Sequence, residues 1–196
     1  MKKNKTFLIL LIVFILLLVA AGVLYRSLSD LYQLPSSLAG PETTAATDPT
    51  GDTDAAVVKA PNFIVIDQDG NEVELYDFLG KPIILNFWAS WCGPCRSEMS
   101  EIQAAYEAYG DDIHFLIVNL TDGARETVEA ATNYITKSGY TFPIYFDTTL
   151  NASVAYSAYS IPVTYFIHAD GQGIARYPGA MTKDILQQGI DLLLAE

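Results

Sequence analysis

The pentapeptide Trp91-Cys-Gly-Pro-Cys95 constrains this chain more than any other feature, because it joins an apolar run to a helical pattern. Its two cysteines are the only ones among the 196 residues, and two residues separate them. A dithiol at this spacing can close to a disulfide and open again. Where such a pair follows a predicted buried strand and precedes a helix, it indicates thiol–disulfide redox chemistry.

The position of the pair at a helix N-terminus predicts different roles for the two sulfurs. The thiolate is the nucleophile, and the free amides and dipole of a helix N-terminus lower the pKa of a thiol. Cys92 lies just before a predicted helix over 95–109, so we expect it to be the exposed, attacking sulfur. We expect Cys95 to be shielded and to resolve the mixed disulfide. Trp88 and Trp91 are expected to supply flat apolar surface around the pair.

Other uses of two cysteines fit the sequence less well. A structural zinc site needs four ligands, and the only histidines, His114 and His168, do not have the spacing of a zinc finger. Covalent haem attachment needs a histidine after the second cysteine, where this chain has Arg96. A purely structural disulfide across so short a loop would stabilise little. We therefore expect no metal and no cofactor other than a redox-active Cys92–Cys95 disulfide.

Residues 1–26 predict an N-terminal membrane anchor. Three lysines among the first five residues precede an uncharged stretch over 6–25, and about 20 apolar residues suffice for a helix to cross a bilayer. A cleaved signal peptide is the alternative, since residues 20–22 are small, but the apolar stretch is longer than a signal core of roughly 7–15 residues. The lysines favour a cytoplasmic N-terminus. The rest of the chain would then lie on the extracytoplasmic side of a bacterial cytoplasmic membrane.

Residues 27–60 predict a flexible acidic linker, and residues 61–196 a single folded domain. The linker is rich in Ser, Thr, Ala, Gly, Pro and Asp and has no sustained apolar period. The domain carries six basic and eighteen acidic side chains, a net charge of −12. This charge disfavours nucleic acid as a partner.

Within the domain, predicted strands alternate with helices. This alternation, with a hairpin and a helix at its end, predicts a mixed sheet with helices on both faces. The predicted strands are 63–66, 72–75, 82–88, 113–118, 142–146, 162–167 and 173–177, and the predicted helices are 95–109, 124–138, 150–158 and one capped by Thr182.

The segment from Gly80 to Met99 resembles the TlpA/ResA branch of the thioredoxin superfamily, whose domain is of the AhpC/TSA-redoxin type. The resemblance extends over residues 60–63 and 160–167. It implies an α/β fold, with a thioredoxin-like mixed central sheet flanked by helices. It also implies an N-terminal β-hairpin extension and a central αβ insertion. The predicted transmembrane helix would precede this domain, as in other members of the branch.

The same resemblance implies the activity and the substrate site. Members are membrane-tethered, extracytoplasmic thiol–disulfide oxidoreductases. It implies that Ile161-Pro162 is a cis peptide facing the cysteines, where backbone groups would hold an extended substrate peptide. Trp91 is expected to contact the same substrate.

Glu98 is the candidate for proton transfer. Ordinary thioredoxins carry a buried aspartate where this chain has Asn86, which cannot exchange a proton. Glu98 shares the inward stripe of the predicted helix with Ile102 and Ala105, and a buried acid usually has a partner or a task. By resemblance, Glu98 would tune the thiols and relay the proton of Cys95. The alternative is an acid placed favourably near a helix N-terminus.

The Gly-Pro pair between the cysteines resembles that of reducing thioredoxins rather than strong oxidants. We therefore expect a reductant of disulfides in exported proteins, with apocytochrome c in cytochrome c maturation as one candidate. A membrane electron donor of the CcdA/DsbD kind would regenerate it. Two alternatives stay open, namely a peroxiredoxin-like thiol peroxidase and an electron donor to a methionine sulfoxide reductase.

Overall fold

The computed structural model describes residues 59–195 and consists of a seven-stranded mixed sheet with helices on both faces. The strands are β1 (Ile64–Ile66), β2 (Glu72–Glu74), β3 (Ile83–Trp88), β4 (His114–Asn119), β5 (Ile144–Phe146), β6 (Val163–Ile167) and β7 (Gly173–Pro178). Their order in the sheet is β2-β1-β5-β4-β3-β6-β7. The helices are α1 (Gly93–Tyr109), α2 (Val128–Ser138), α3 (Asn151–Ala155) and α4 (Lys183–Leu194), with a 3-10 turn at Leu75–Phe78.

The centre of the sheet is formed by β3, which pairs in parallel with β4 and antiparallel with β6. All six of its residues are buried, as expected of a strand that is covered on both faces. Its side chains alternate between two cores. Ile84 and Trp88 face the core under α1, α2 and α4, whereas Leu85 and Phe87 face the core under the N-terminal hairpin and α3.

The N-terminal hairpin and the central αβ segment are both present. Strands β1 and β2 pair antiparallel around a turn in which Asp67 accepts hydrogen bonds from residues 69 and 71. The central segment consists of α2 and β5, and β5 extends the parallel part of the sheet beside β4. The predicted α/β architecture of the domain is therefore confirmed.

Helix α2 begins later than the sequence pattern predicted. The prediction placed its start at residue 124, but the helix starts at Val128, after Thr127, whose hydroxyl accepts from the backbone N–H of Ala130. Residues 122–127 form a turn instead. In this turn one carboxylate oxygen of Asp122 accepts hydrogen bonds from three successive backbone N–H groups, those of residues 124–126. A side chain that binds the backbone in this way competes with helix formation.

The predicted anchor over 1–26 and most of the predicted linker over 27–60 lie outside the described residues. The end of that predicted linker, Lys59 and Ala60, belongs to the folded domain, since Lys59 forms a bridge with Gln172 and Ala60 donates to the carbonyl of Gly171. Within 59–195, none of the helices combines the length and the apolar character that a membrane span requires.

Candidate active site

The two cysteines lie where the central strand passes into α1, which is the longest helix among residues 59–195. Cys92 is the N-cap of α1 and is joined to Cys95 by a disulfide, with 5.3 Å between the Cα atoms. The Sγ atom of Cys92 accepts a hydrogen bond of 3.2 Å from the backbone N–H of Cys95. A sulfur in this position receives both an amide donor and the positive end of the helix dipole.

The exposures of the two cysteines correct one expectation. Cys95 is fully buried, as expected, but Cys92 is only 5% exposed and is therefore not an openly exposed sulfur in the disulfide form. The reason is the loop before β6, because the carbonyl oxygen of Ile161 lies 3.7 Å from the Sγ atom of Cys92. The peptide bond between Ile161 and Pro162 is cis, as the resemblance implied. The structure thus brings the cysteines and this loop together.

Glu98 lies one turn after Cys95 and is fully buried. One of its carboxylate oxygens accepts a hydrogen bond of 2.9 Å from the amide of Asn86, and the other accepts one of 2.8 Å from the backbone N–H of Met181. Burial raises the pKa of Glu98 from its ordinary value of 4.5 to about 7, although the two hydrogen bonds oppose the rise. A carboxyl group with this pKa can gain and lose a proton near neutral pH.

Asn86 connects Glu98 to the strand that follows the cis peptide. Its Nδ2 atom also donates to the hydroxyl of Thr164, at 2.9 Å, and its Oδ1 atom is buried without a hydrogen-bond partner in the described part of the chain. A rotation of this amide by half a turn would present Oδ1 to Glu98. The site can therefore hydrogen-bond Glu98 both as a carboxylate, which accepts, and as a carboxylic acid, which donates.

Trp91 and Trp88 differ in their exposure to solvent. Trp91 is 42% exposed, and the guanidinium of Arg125 lies 3.5 Å from the centre of its ring. Trp88 is fully buried and packs beside Tyr134. The expectation that Trp88 supplies surface at the site is wrong, because the alternation along β3 turns its side chain into the core.

Sequence reasoning missed the turn over residues 122–127 beside the cysteines. Glu126 is 1% exposed, and its carboxylate accepts hydrogen bonds from Ser90 and Asn119. The prediction placed this residue inside a helix. The dipeptide Asp122-Gly123 followed by Thr127 is a turn and N-cap signal that could have ended the helix earlier.

The two histidines lie at the opposite end of β3 from the cysteines, where Ile83 pairs with His114 and with Ile167. His114 begins β4 and His168 follows β6, and both are half-buried. Among residues 59–195 there is no group of three or more His, Cys, Asp or Glu side chains with the arrangement of a metal site. The site that the described residues do form consists of a disulfide, a buried acid and a backbone loop.

The folded domain is similar to known thiol–disulfide oxidoreductases. Residues 57–174 match the AhpC/TSA family. The thiol-disulfide oxidoreductase ResA of Bacillus thuringiensis subsp. konkukian is 34% identical over 130 residues, which are 66% of this chain and 73% of ResA. The thioredoxin-like protein YneN of Bacillus subtilis is 34% identical over 135 residues, 68% of this chain and 78% of YneN.

A solved structure gives the same result for the fold. A putative thiol:disulfide interchange protein DsbE from Chlorobium tepidum superposes with a TM-score of 0.59 at 30% identity. The match covers 70% of this chain and 96% of that structure. The similarity therefore extends over almost the whole of the related domain, and the fold is thioredoxin-like.

Proposed function

Since this chain belongs to the AhpC/TSA family, and within the thioredoxin superfamily to the ResA-like thiol–disulfide oxidoreductases, we propose that it reduces disulfides in exported proteins. The Cys92–Cys95 pair would carry the two electrons. The observation that carries the proposal is the position of this disulfide. It caps α1, and its outer sulfur lies 3.7 Å from the carbonyl oxygen of Ile161.

The reduced pair acts in two exchanges that balance in electrons. The thiolate of Cys92 attacks one sulfur of the substrate disulfide, so that a mixed disulfide forms and the other substrate sulfur leaves as a thiolate. The thiolate of Cys95 then attacks the Sγ atom of Cys92 and releases the second substrate sulfur. The substrate gains two electrons, and the protein is left with its Cys92–Cys95 disulfide.

Several features of the site support this sequence of steps. The backbone N–H of Cys95, which lies 3.2 Å from the Sγ atom of Cys92, would stabilise a thiolate there. The loop at Ile161 offers a carbonyl beside the reacting sulfur, where an extended peptide could add as a strand. Trp91, at the rim, offers apolar surface for the substrate.

Glu98 is the proposed proton acceptor for Cys95. The second exchange needs Cys95 as a thiolate, and this thiol is fully buried. Glu98, one helical turn away, has a pKa of about 7 and can take up the proton within the protein. Its hydrogen bonds to Asn86 and Met181 hold the carboxyl group in place for this step.

The proposed direction is reduction. The Gly-Pro dipeptide between the cysteines is that of reducing thioredoxins, whose potentials are around −270 mV. An oxidising compartment cannot restore the dithiol, so a membrane electron donor of the CcdA/DsbD kind would supply two electrons for each cycle. One candidate task is the reduction of apocytochrome c before haem attachment. Another is the supply of electrons to a methionine sulfoxide reductase.

The proposed location is the outer face of a bacterial cytoplasmic membrane, with a single anchor over residues 6–25. The uncharged apolar stretch and the lysines before it support this location. Labelling of intact cells tests it. A membrane-impermeant maleimide should modify reduced Cys92 without lysis, and labelling that requires lysis would contradict it.

Trapping tests the proposed function. The Cys95→Ser variant lacks the resolving thiol, so it should accumulate mixed disulfides through Cys92 in cells, and the Cys92→Ser variant should accumulate far fewer. Mass spectrometry of the trapped proteins identifies the substrates. The reduced full chain should also reduce insulin. Failure in both experiments would refute the proposal, and rapid consumption of hydrogen peroxide in place of insulin would favour a thiol peroxidase.

A further inference from the structure

A second buried carboxylate, that of Glu126, lies at the active-site end of the sheet and takes no part in the exchanges described above. It is 1% exposed and belongs to the turn over residues 122–127. This turn connects β4 to α2 and lies outside the segment that carries the cysteines. A buried acid is unusual, because the free-energy cost of removing it from water must be offset by hydrogen bonds.

The hydrogen bonds of Glu126 go to the segment that leads into Cys92. Its Oε1 atom accepts from the backbone N–H of Ser90 and its Oε2 atom accepts from the Ser90 hydroxyl, both at 2.9 Å. Oε1 also accepts from the amide of Asn119, at 2.9 Å. Ser90 is thus held through its backbone and its side chain by one carboxylate, two residues before the attacking cysteine.

The turn that presents Glu126 is itself fixed at several points. Asp122 binds the backbone N–H groups of residues 124–126, and Gly123 donates to the carbonyl of Glu126. Asn119, the third partner of the carboxylate, accepts from the hydroxyl of Thr121 at 2.8 Å. Glu126 therefore acts from a rigid support, which is what a positioning group requires.

A neighbouring contact links the same two segments. The guanidinium of Arg125 lies 3.5 Å from the ring centre of Trp91. Two successive residues of the turn, Arg125 and Glu126, thus contact two successive residues of the active-site segment, Trp91 and Ser90. Contacts at adjacent positions fix the direction of the segment as well as its location.

We propose that Glu126 is a positioning residue that fixes the turn at Ser90, so that the Sγ atom of Cys92 stays between the N-terminus of α1 and the carbonyl of Ile161. The expected effect on catalysis rests on the proposed function. The physical reason is that the Sγ atom of Cys92 is held at short range by two different segments. Errors of about 1 Å in the position of a reacting atom can lower rates a hundredfold.

The test separates hydrogen-bond geometry from charge. In Glu126→Gln, the amide oxygen can accept from Ser90 and Asn119 as Oε1 does now, and the amide nitrogen can donate to the Ser90 hydroxyl, which can also accept. Glu126→Ala removes all three bonds. Glu129→Ala is the matched control, because Glu129 is an exposed glutamate in the first turn of α2.

Two measurements on the reduced full chain give the result. The first is the rate of Cys92 alkylation by iodoacetamide as a function of pH, read by peptide mapping, which needs no substrate. The second is kcat/KM for insulin reduction. For Glu126→Ala we expect roughly tenfold lower kcat/KM and a midpoint of the alkylation profile about one pH unit higher. Glu126→Gln should stay within about twofold of wild type.

Each outcome decides the inference. If folded Glu126→Ala keeps the wild-type alkylation profile, or if Glu126→Gln loses as much as the alanine variant, the positioning role is refuted. If Glu126→Ala does not fold, Glu126→Gln and Ser90→Ala decide, with partial loss expected for Ser90→Ala and none for the glutamine. A wild-type chain that alkylates normally but reduces no disulfide would refute the proposed function and leave the alkylation test of Glu126 intact.

Discussion

The carboxylate of Glu98 and the amide of Asn86 form a buried hydrogen bond of 2.9 Å between α1 and the central strand β3. Asn86 faces the core under α1 because it lies between Ile84 and Trp88 at a spacing of two residues, on the same face of the strand. Glu98 can change its protonation state, and the amide of Asn86 can either accept or donate a hydrogen bond. The stability and the reactivity of the domain should therefore both depend on the protonation of Glu98.

Loss of the Glu98 proton should make the oxidised protein less stable as the pH rises. The pKa of Glu98 is about 7 in the folded protein against an ordinary value of 4.5. Between these values the folded state binds more protons than the unfolded state, so the free energy of unfolding falls with rising pH. The contribution is full below pH 4.5 and is lost by about pH 7, and it amounts to at most about 3 kcal/mol.

The Glu98→Gln variant measures this contribution. Glutamine does not titrate, so the difference in unfolding free energy between variant and wild type should grow in favour of the variant from pH 4.5 to pH 8. Denaturant unfolding of the oxidised proteins at several pH values gives this difference. Glu107→Gln, an exposed position on the same helix, should show no such trend. A parallel pH dependence of wild type and Glu98→Gln would contradict the role of Glu98.

The same substitution should change the reactivity of the thiols. An ionised Glu98 near Cys95 disfavours a second negative charge, and the neutral glutamine removes this repulsion. We expect the alkylation profile of Cys95 in Glu98→Gln to shift to lower pH by about one unit. The second exchange should slow, because the proton acceptor is lost. An unchanged profile would leave Glu98 as a structural residue only.

Replacement of Asn86 by aspartate should create a pH-dependent defect. The variant places two carboxyl groups within hydrogen-bond distance in the core, and both cannot be ionised there at low cost. We expect Asn86→Asp to be close to wild type in stability at pH 5 and several kcal/mol less stable at pH 8. Thermal unfolding at the two pH values measures this. The double variant Asn86→Asp/Glu98→Gln should recover stability at pH 8, and no recovery would show that the loss has another origin.

Much of this site could be predicted from local patterns in the sequence. The cysteines are close along the chain, and their position at a helix N-terminus follows from a buried strand and a helical pattern in direct succession. Glu98 was predicted to be buried because it shares a helical stripe with Ile102 and Ala105, and all three are buried. Such predictions depend on periodicity, which needs no knowledge of distant residues.

The partners of these residues could not be predicted in the same way. Met181 and Thr164 lie far along the chain from Glu98 and Asn86, and only the folding of α4 and β6 against β3 and α1 brings them together. Glu126 was missed for a local reason, since the binding of Asp122 to three backbone N–H groups replaced the first turn of the predicted helix.

Trp91 should contribute to the binding of protein substrates and little to the chemistry. It is 42% exposed beside Cys92, and exposed aromatic side chains often supply much of the energy at an interface. We expect Trp91→Ala to raise KM for insulin about fivefold and to leave the reduction of a small disulfide nearly unchanged. Leu192→Ala, which removes an exposed apolar side chain on α4, is the control. An equal loss with both substrates would contradict a binding role.

Gly189 should be required for the packing of α4 on the sheet. A Cβ atom at this position would overlap the ring of Phe166, which is itself buried. Alanine normally stabilises a helix interior by up to about 1 kcal/mol relative to glycine, but overpacking costs about 1–3 kcal/mol or more. We therefore expect Gly189→Ala to lower the unfolding free energy, whereas Gln188→Ala, at an exposed neighbouring position, should not.

The effect of Gly189→Ala should extend from stability to the active site. Helix α4 follows Met181, whose backbone N–H binds Glu98 at 2.8 Å. A displaced α4 would weaken this hydrogen bond, which opposes the rise in the pKa of Glu98. The pH midpoint of Cys95 alkylation should therefore shift in Gly189→Ala. In the double variant Gly189→Ala/Phe166→Leu, leucine is smaller than the phenylalanine ring and should restore the wild-type midpoint. A variant that is destabilised but keeps the wild-type midpoint would show that α4 and the acid are independent.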